Sequence, residues 1–214
     1  MFINGLVTNI EAWNFLSVKN IKILEDADSR LFATIFESLK STNRVLYYLE
    51  TGTIPIRYIL SKRVLMYYFH ILSRPKDELI RKCYEAMKLK TVRHDWYARI
   101  QSEKSKHNIT LSDDEVQQMS KGKFKSYVDQ IVDSFAFSKL LDTAKQQSKC
   151  KSILLNMNQV DLKIQKYLIS EHLVKEEQSL LFSLRTYSFP VKSNFSYLYS
   201  GDMKRWETMF LFYL

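Results

Sequence analysis

The chain has 214 residues, with 32 Lys and Arg against 23 Asp and Glu and a formal net charge of +9. Its 4 Gly and 3 Pro make up about 3% of the residues, where average usage is about 12%. With 46% apolar and 14% aromatic residues, the chain is too hydrophobic for a disordered protein. It is also too poor in turn residues for a strand-rich sandwich or barrel, and it lacks the glycines of a phosphate-cradling loop.

The periodicity predicts an all-α protein, an irregular array of about eight or nine helices. Phe2, Leu6, Ile10 and Trp13 are spaced for one face of a short first segment. Ser17 is a plausible N-cap for the next helix, in which Ile21, Leu24, Leu31 and Ile35 are expected to face the core with the acids opposite. Ser41-Thr42-Asn43 breaks it, and a short helix from Arg44 to Glu50 is expected to end at Gly52 in the left-handed conformation. Pro55 opens a helix over 56–73 that is apolar almost all round, as in a central core helix. Pro75 is expected to open another, with Asp77 and Glu78 in its first turn. A further helix is expected from about Asp95 to Lys104.

Ser112 with Glu115 reads as a capping box starting a short helix that ends near Met119. Lys121-Gly122-Lys123 is expected to link it to an amphipathic helix of about 20 residues. That helix is expected to bury Phe124, Val128, Ile131 and Phe135. The polar, basic run 146–158 reads as a linker, followed by shorter helices near 159–169 and 174–187. The organisation expected is a helical segment 1–53, a basic helical core 54–145, the linker, a helical segment 159–200 and a divergent tail 201–214.

Cys83 and Cys150 follow no pairing pattern, and reduced thiols in a nuclear or cytoplasmic protein are the expectation. No basic leader opens the chain, and no uncharged apolar run approaches the roughly 18 residues of a membrane span. His70, His94, His107 and His172 have no partner at metal-ligand spacing. Asp113-Asp114-Glu115 and Glu176-Glu177 sit where helix first turns favour negative charge. No nucleophile elbow or two-metal acidic triad occurs, so neither an enzyme nor a cofactor is expected.

The charge is uneven. Residues 54–93 hold 10 basic and 3 acidic side chains, so most of the surplus lies in one stretch and suggests a surface that faces a polyanion. Arg57, Lys62 and Arg63 alternate with Tyr58, Tyr67 and Tyr68, and Arg81 and Lys82 follow. Lys121, Lys123 and Lys125 surround Phe124 and Tyr127 as a second patch. Such cations can neutralise the phosphates of RNA or DNA, and exposed aromatics can stack on unpaired bases. For Arg57 a second reading is a pair with Glu50 that fixes the Gly52–Pro55 turn.

Several blocks, in order, resemble the region that follows the polymerase in LINE-like (non-LTR) retrotransposon reverse-transcriptase polyproteins. Asn9-Ile10-Glu11-Ala12-Trp13 resembles the N-x-E-A-W segment, and Leu24-Glu25-Asp26-Ala27-Asp28 the LE-x-x-D helix. Tyr48-Leu49-Glu50-Thr51-Gly52-Thr53-Ile54-Pro55-Ile56-Arg57-Tyr58 is similar to the YLE-x-G-x-IP-[IV]-R-[FY] signature. The basic continuation appears as Lys62-Arg63-Val64-Leu65-Met66-Tyr67-Tyr68-Phe69-His70-Ile71-Leu72, and Asp77-Glu78-Leu79-Ile80 fits the next piece. Met119 to Lys125 resembles the M-x-K-x-KFK block, and Leu180 to Arg185 the LLF-x-LR block. The resemblance implies a helical region that contacts template RNA or target DNA beside the polymerase. The paired aspartates of the polymerase are absent, and Asp202-Met203-Lys204 stands where a Cys/His knuckle would open without its cysteines. A truncated, non-catalytic fragment is the expectation. A protein-interaction module docking through 206–214, or a non-functional remnant, is the alternative.

Overall fold

A computed structural model describes residues 17–38, 42–90, 95–147, 150 and 163–186. Among them are eight α-helices, one 3-10 turn and no strand. The helices are α1 (Val18–Ile35), α2 (Arg44–Thr51), α3 (Ile56–Leu72), α4 (Leu79–Lys90), α5 (Trp96–Lys106), α6 (Asp113–Gln118), α7 (Lys121–Lys145) and α8 (Lys175–Arg185). The all-α expectation holds for these residues. The first segment with Phe2 and Trp13, most of the linker and the tail 201–214 lie outside the described residues.

Local chemistry sets most helix starts. Ser17, Asn43, Asp95, Ser112 and Ser120 each accept a backbone N–H from the first turn of the helix they open. Ser112 and Glu115 complete a reciprocal capping box. Two starts differ from the sequence expectation. Pro75 to Glu78 is a turn closed by the Glu78 N–H donating to the Pro75 carbonyl at 3.1 Å. The helical ladder begins only with Lys82 donating to the Glu78 carbonyl at 3.0 Å, so Asp77 and Glu78 precede α4. Lys121-Gly122-Lys123 is not a link but the first turn of α7, because Ser120 caps the Lys123 N–H. The described part of the expected helix near 159–169 is only the 3-10 turn Lys166–Ile169.

α3 is the centre. It touches α1, α4, α5, α6 and α7. Val64, Leu65, Tyr68 and Leu72 are fully enclosed, and Phe69 stacks on Phe124 of α7 at 5.2 Å. Each such side chain contributes about 1.5–3 kcal/mol of hydrophobic stabilisation. The inward stripe of α7 is Phe124, Val128, Val132, Ala136, Leu140 and Ala144, repeating every fourth residue. The expected Ile131 and Phe135 sit half-buried at its edge. The first half of α7 belongs to the α3 core, and its second half to another core with α1, α2 and α8. There Phe36 stacks on Phe182 at 4.3 Å and Tyr47 on Phe182 at 5.4 Å.

α1 faces inward differently from the hydrophobic pattern. Glu25, Asp28 and Phe32 are its buried residues, while of the expected face Ile21, Leu24 and Leu31 are half-buried and Ile35 is exposed. The reason is tertiary. Arg57 and Arg44 meet the Glu25 carboxylate, and the Tyr48 hydroxyl donates to Asp28 at 2.8 Å. Burial pushes the Asp28 carboxyl upward, and the Tyr48 hydrogen bond and Arg44 only partly offset it.

Gly52 ends α2 at φ +64, as expected. It also has a second duty. A Cβ there would stand 2.3 Å from the Ile164 amide nitrogen and 2.4 Å from the Lys163 carbonyl carbon. The segment 163–185 docks on α2 at this point. The Gln165 N–H donates to the Glu50 carbonyl at 3.0 Å. The enclosed Glu50 carboxylate accepts from Arg185 Nε at 2.9 Å and from the Tyr167 hydroxyl at 2.8 Å. Gly52→Ala should therefore destabilise by at least about 2 kcal/mol, from left-handed strain plus a backbone clash, as read by thermal unfolding.

Glu103 joins α5 to α3. Its carboxylate lies 3.6 Å from His107 Nε2 and 3.4 Å from Lys106 Nζ, and Lys106 also donates to Ser61 of α3 at 3.0 Å. Burial pushes the Glu103 pKa up, but His107, Lys106 and Ser61 together outweigh it and hold it at about 2. A depressed carboxyl stabilises fully above its unfolded value, near 4.5, and that stability is lost as pH falls towards 2. The urea midpoint of the wild type should therefore fall across this window, and Glu103→Gln should flatten that fall while lowering the midpoint at neutral pH.

Candidate nucleic-acid interface

The eight cations singled out by the sequence do not form one surface. Arg57, expected either on phosphate or on Glu50, instead binds Glu25, with Nη2 at 2.7 Å from Oε2. Its pKa is raised, chiefly by that hydrogen bond. Glu50 is taken by Arg185 and Tyr167, so the Arg57–Glu50 reading is corrected. Lys62 spans from α3 to α7, 2.9 Å from Asp129 and 2.8 Å from Asp133. Lys125 pairs with Asp129 at 3.0 Å along α7. Burial pushes the Asp129 carboxyl up, but Lys62 and Lys125 outweigh this and hold it below the usual carboxylate range. Arg81 is 4% exposed, a guanidinium inside the fold rather than on a surface patch. Lys82, Lys121 and Lys123 are exposed, and Arg63 is half-buried.

Arg63 and Lys121, 58 positions apart in the chain, line one groove of about 290 Å³. Its other walls include Met66, Tyr67 and His70. Arg63, Tyr67 and His70 follow one another at spacings of four and three on one face of α3, and Arg74 lies four residues further on, just beyond the helix end. Tyr67 stacks on His70 at 5.9 Å and meets Trp96 of α5 edge-on at 4.6 Å. Arg74 Nη2 lies 3.3 Å from His70 Nε2. In the sequence His70 stands without a partner at metal-ligand spacing. The 63-67-70 stripe is the signal that could have placed it with Arg63. The groove thus offers cations at its edge and planar rings on its wall.

The start of α7 adds a second feature. Its first turn holds Lys121 and Lys123 and no acid, and Lys125 lies one residue further on. A helix N-terminus carries partial positive charge, so each cation there costs about 0.3 kcal/mol or more at low salt. The arrangement works against helix stability and concentrates positive potential beside the groove.

Among the described residues no group of three or more His, Cys, Asp and Glu is placed to hold a metal ion. No described helix is long and apolar enough to cross a membrane. Cys83 and Cys150 are both free. The docking segment 206–214 lies outside the described residues. Comparison with family models, curated proteins and solved structures finds no match to this chain in any of the three.

The geometry separates structural cations from surface cations. Arg57→Ala should leave Glu25 buried and short of a partner, at a cost of about 2 kcal/mol, since Arg57 itself is half exposed. Its affinity for an oligonucleotide should match that of the wild type. Chemical denaturation and fluorescence anisotropy on the same preparation check both halves.

Proposed function

We propose that this chain is a non-catalytic, helical nucleic-acid-binding fragment of a retrotransposon reverse-transcriptase polyprotein. Its role would be to contact the RNA or DNA backbone beside the polymerase. The observation that carries the reading is the convergence of Arg63 with Lys121 at the N-terminal end of α7, against the Tyr67–His70 ring pair. Phosphates would lie along Arg63, Lys121 and Lys123, with Lys82 as a further exposed cation on α4. An unpaired base would find the ring wall of the groove, which favours single strands over duplex. The resemblance of residues 48–72 to the post-polymerase signature supports the same reading, because that stretch includes the α3 face lining the groove.

Anisotropy titrations with single-stranded and duplex oligonucleotides test it. Affinity should fall steeply between about 50 and 200 mM salt. The double variant Lys121→Glu/Lys123→Glu should bind weakly and lose about two units of the salt slope. Its melting temperature should hold, because glutamate suits a helix N-terminus better than lysine. Salt-independent binding, or none at low salt, would count against the proposal.

A further inference from the structure

A separate cleft lies between α4, α5 and the segment that starts α6, and Arg81 lines it. Its volume is about 560 Å³. Among the described residues Arg81 makes one ion pair, from Nη2 to Glu85 Oε1 at 3.0 Å, and its guanidinium carbon lies 5.9 Å from the centre of the Tyr84 ring. Its Nε and Nη1 are buried and meet no hydrogen-bond partner among the described residues. A guanidinium presents two edges for bidentate recognition of an oxyanion, Nε with Nη2 and Nη1 with Nη2. Glu85 occupies only the nitrogen common to both, so both edges are incomplete. Buried donors of a charged group are rarely left this way in a finished structure.

The cleft surroundings favour an anion at that spot. Lys76, Lys88 and Lys104 line it together with Arg81. Of its three carboxylates, Asp113 is already satisfied, accepting from Lys88 at 2.7 Å and from the Tyr68 hydroxyl at 2.6 Å. Asp114 is exposed, and Glu85 is 45% exposed in its side chain and free to swing outward. Glu85 is then the internal stand-in for a ligand, an oxyanion that reaches Nη2 but leaves the rest of the fork unused.

We propose that this cleft binds a phosphate monoester or inorganic phosphate, with Arg81 as its anchor and Glu85 as the carboxylate it displaces. A backbone diester does not fit the geometry. Its two flanking sugars would have to follow it down to a side chain that is 4% exposed, whereas a terminal phosphate projects three oxygens ahead of its ester. The site does not depend on the nucleic-acid reading of the α3–α7 groove.

The test is a calorimetric titration of the full chain with inorganic phosphate in chloride buffer. Saturable binding is expected. Glu85→Gln should tighten it several-fold, because a competing negative charge is removed without disturbing the core. Arg81→Lys should weaken it strongly, because an ammonium keeps the charge but not the fork. No saturable binding in either the wild type or Glu85→Gln would overturn the proposal, and so would affinity that Glu85→Gln leaves unchanged. The Glu85 variant removes dependence on an Arg81 variant that fails to fold. A second arm compares one single-stranded oligonucleotide carrying a 5′-phosphate or a 5′-hydroxyl. Preference for the phosphorylated strand, lost on Arg81→Lys, supports the site with a nucleic-acid end as its source. Equal binding of the two strands, with phosphate binding intact, supports it with a small phosphate compound as its source.

Discussion

The enclosure of α3 governs the rest of the molecule. A helix packed against five others has almost no solvated face on which to place charge, yet it carries Arg57, Lys62 and Arg63 in its first half. Each cation must reach an edge or be met by a carboxylate from a neighbouring helix, since an unpaired buried charge is prohibitively costly. α1 supplies Glu25 to Arg57, and α7 supplies Asp129 and Asp133 to Lys62. These pairs also fix how α1 and α7 lie on α3. The surplus of positive charge in residues 54–93 is therefore only partly a surface property, because some of it is spent holding the helices in register.

The same constraint explains which features were legible in the sequence. Ser17, Asp95, Ser112, Gly52 and Pro55 mark helix boundaries through chemistry that acts within a few residues, so their roles could be read directly. The inward face of α1 could not. A hydrophobic pattern assigns Glu25 and Asp28 to solvent. Only the arrival of Arg57, Arg44 and Tyr48 from elsewhere in the chain makes their burial tolerable. The α7 stripe was half legible for a related reason. Phe124, Val128, Val132 and Ala136 pack on the α3 core, but the helix is long enough to enter a second core, and there Leu140 and Ala144 keep the inward register. In the candidate interface, residue types were legible and partnership was not. Lys62 and Lys121 look alike in the sequence, and only the position of Asp129 and Asp133 tells them apart.

Two consecutive helix starts show what remains once structural pairing is accounted for. α6 begins Asp113-Asp114-Glu115, with a complete capping box, so its acids complement the positive end of the helix. Asp113 also ties α6 to Tyr68 of α3 and Lys88 of α4. Six residues after the Ser112 that caps α6, α6 ends, and Ser120 opens α7 with Lys121-Gly122-Lys123. The second start uses the same serine cap but opposes the dipole instead of matching it. Nothing in packing demands this, because Lys121, Lys123 and Gly122 are exposed and space is open around the glycine. Stability alone would favour acids at both starts. A chain that satisfies the rule at α6 and breaks it at α7 concentrates positive potential at the exposed start of α7, beside Arg63 of α3.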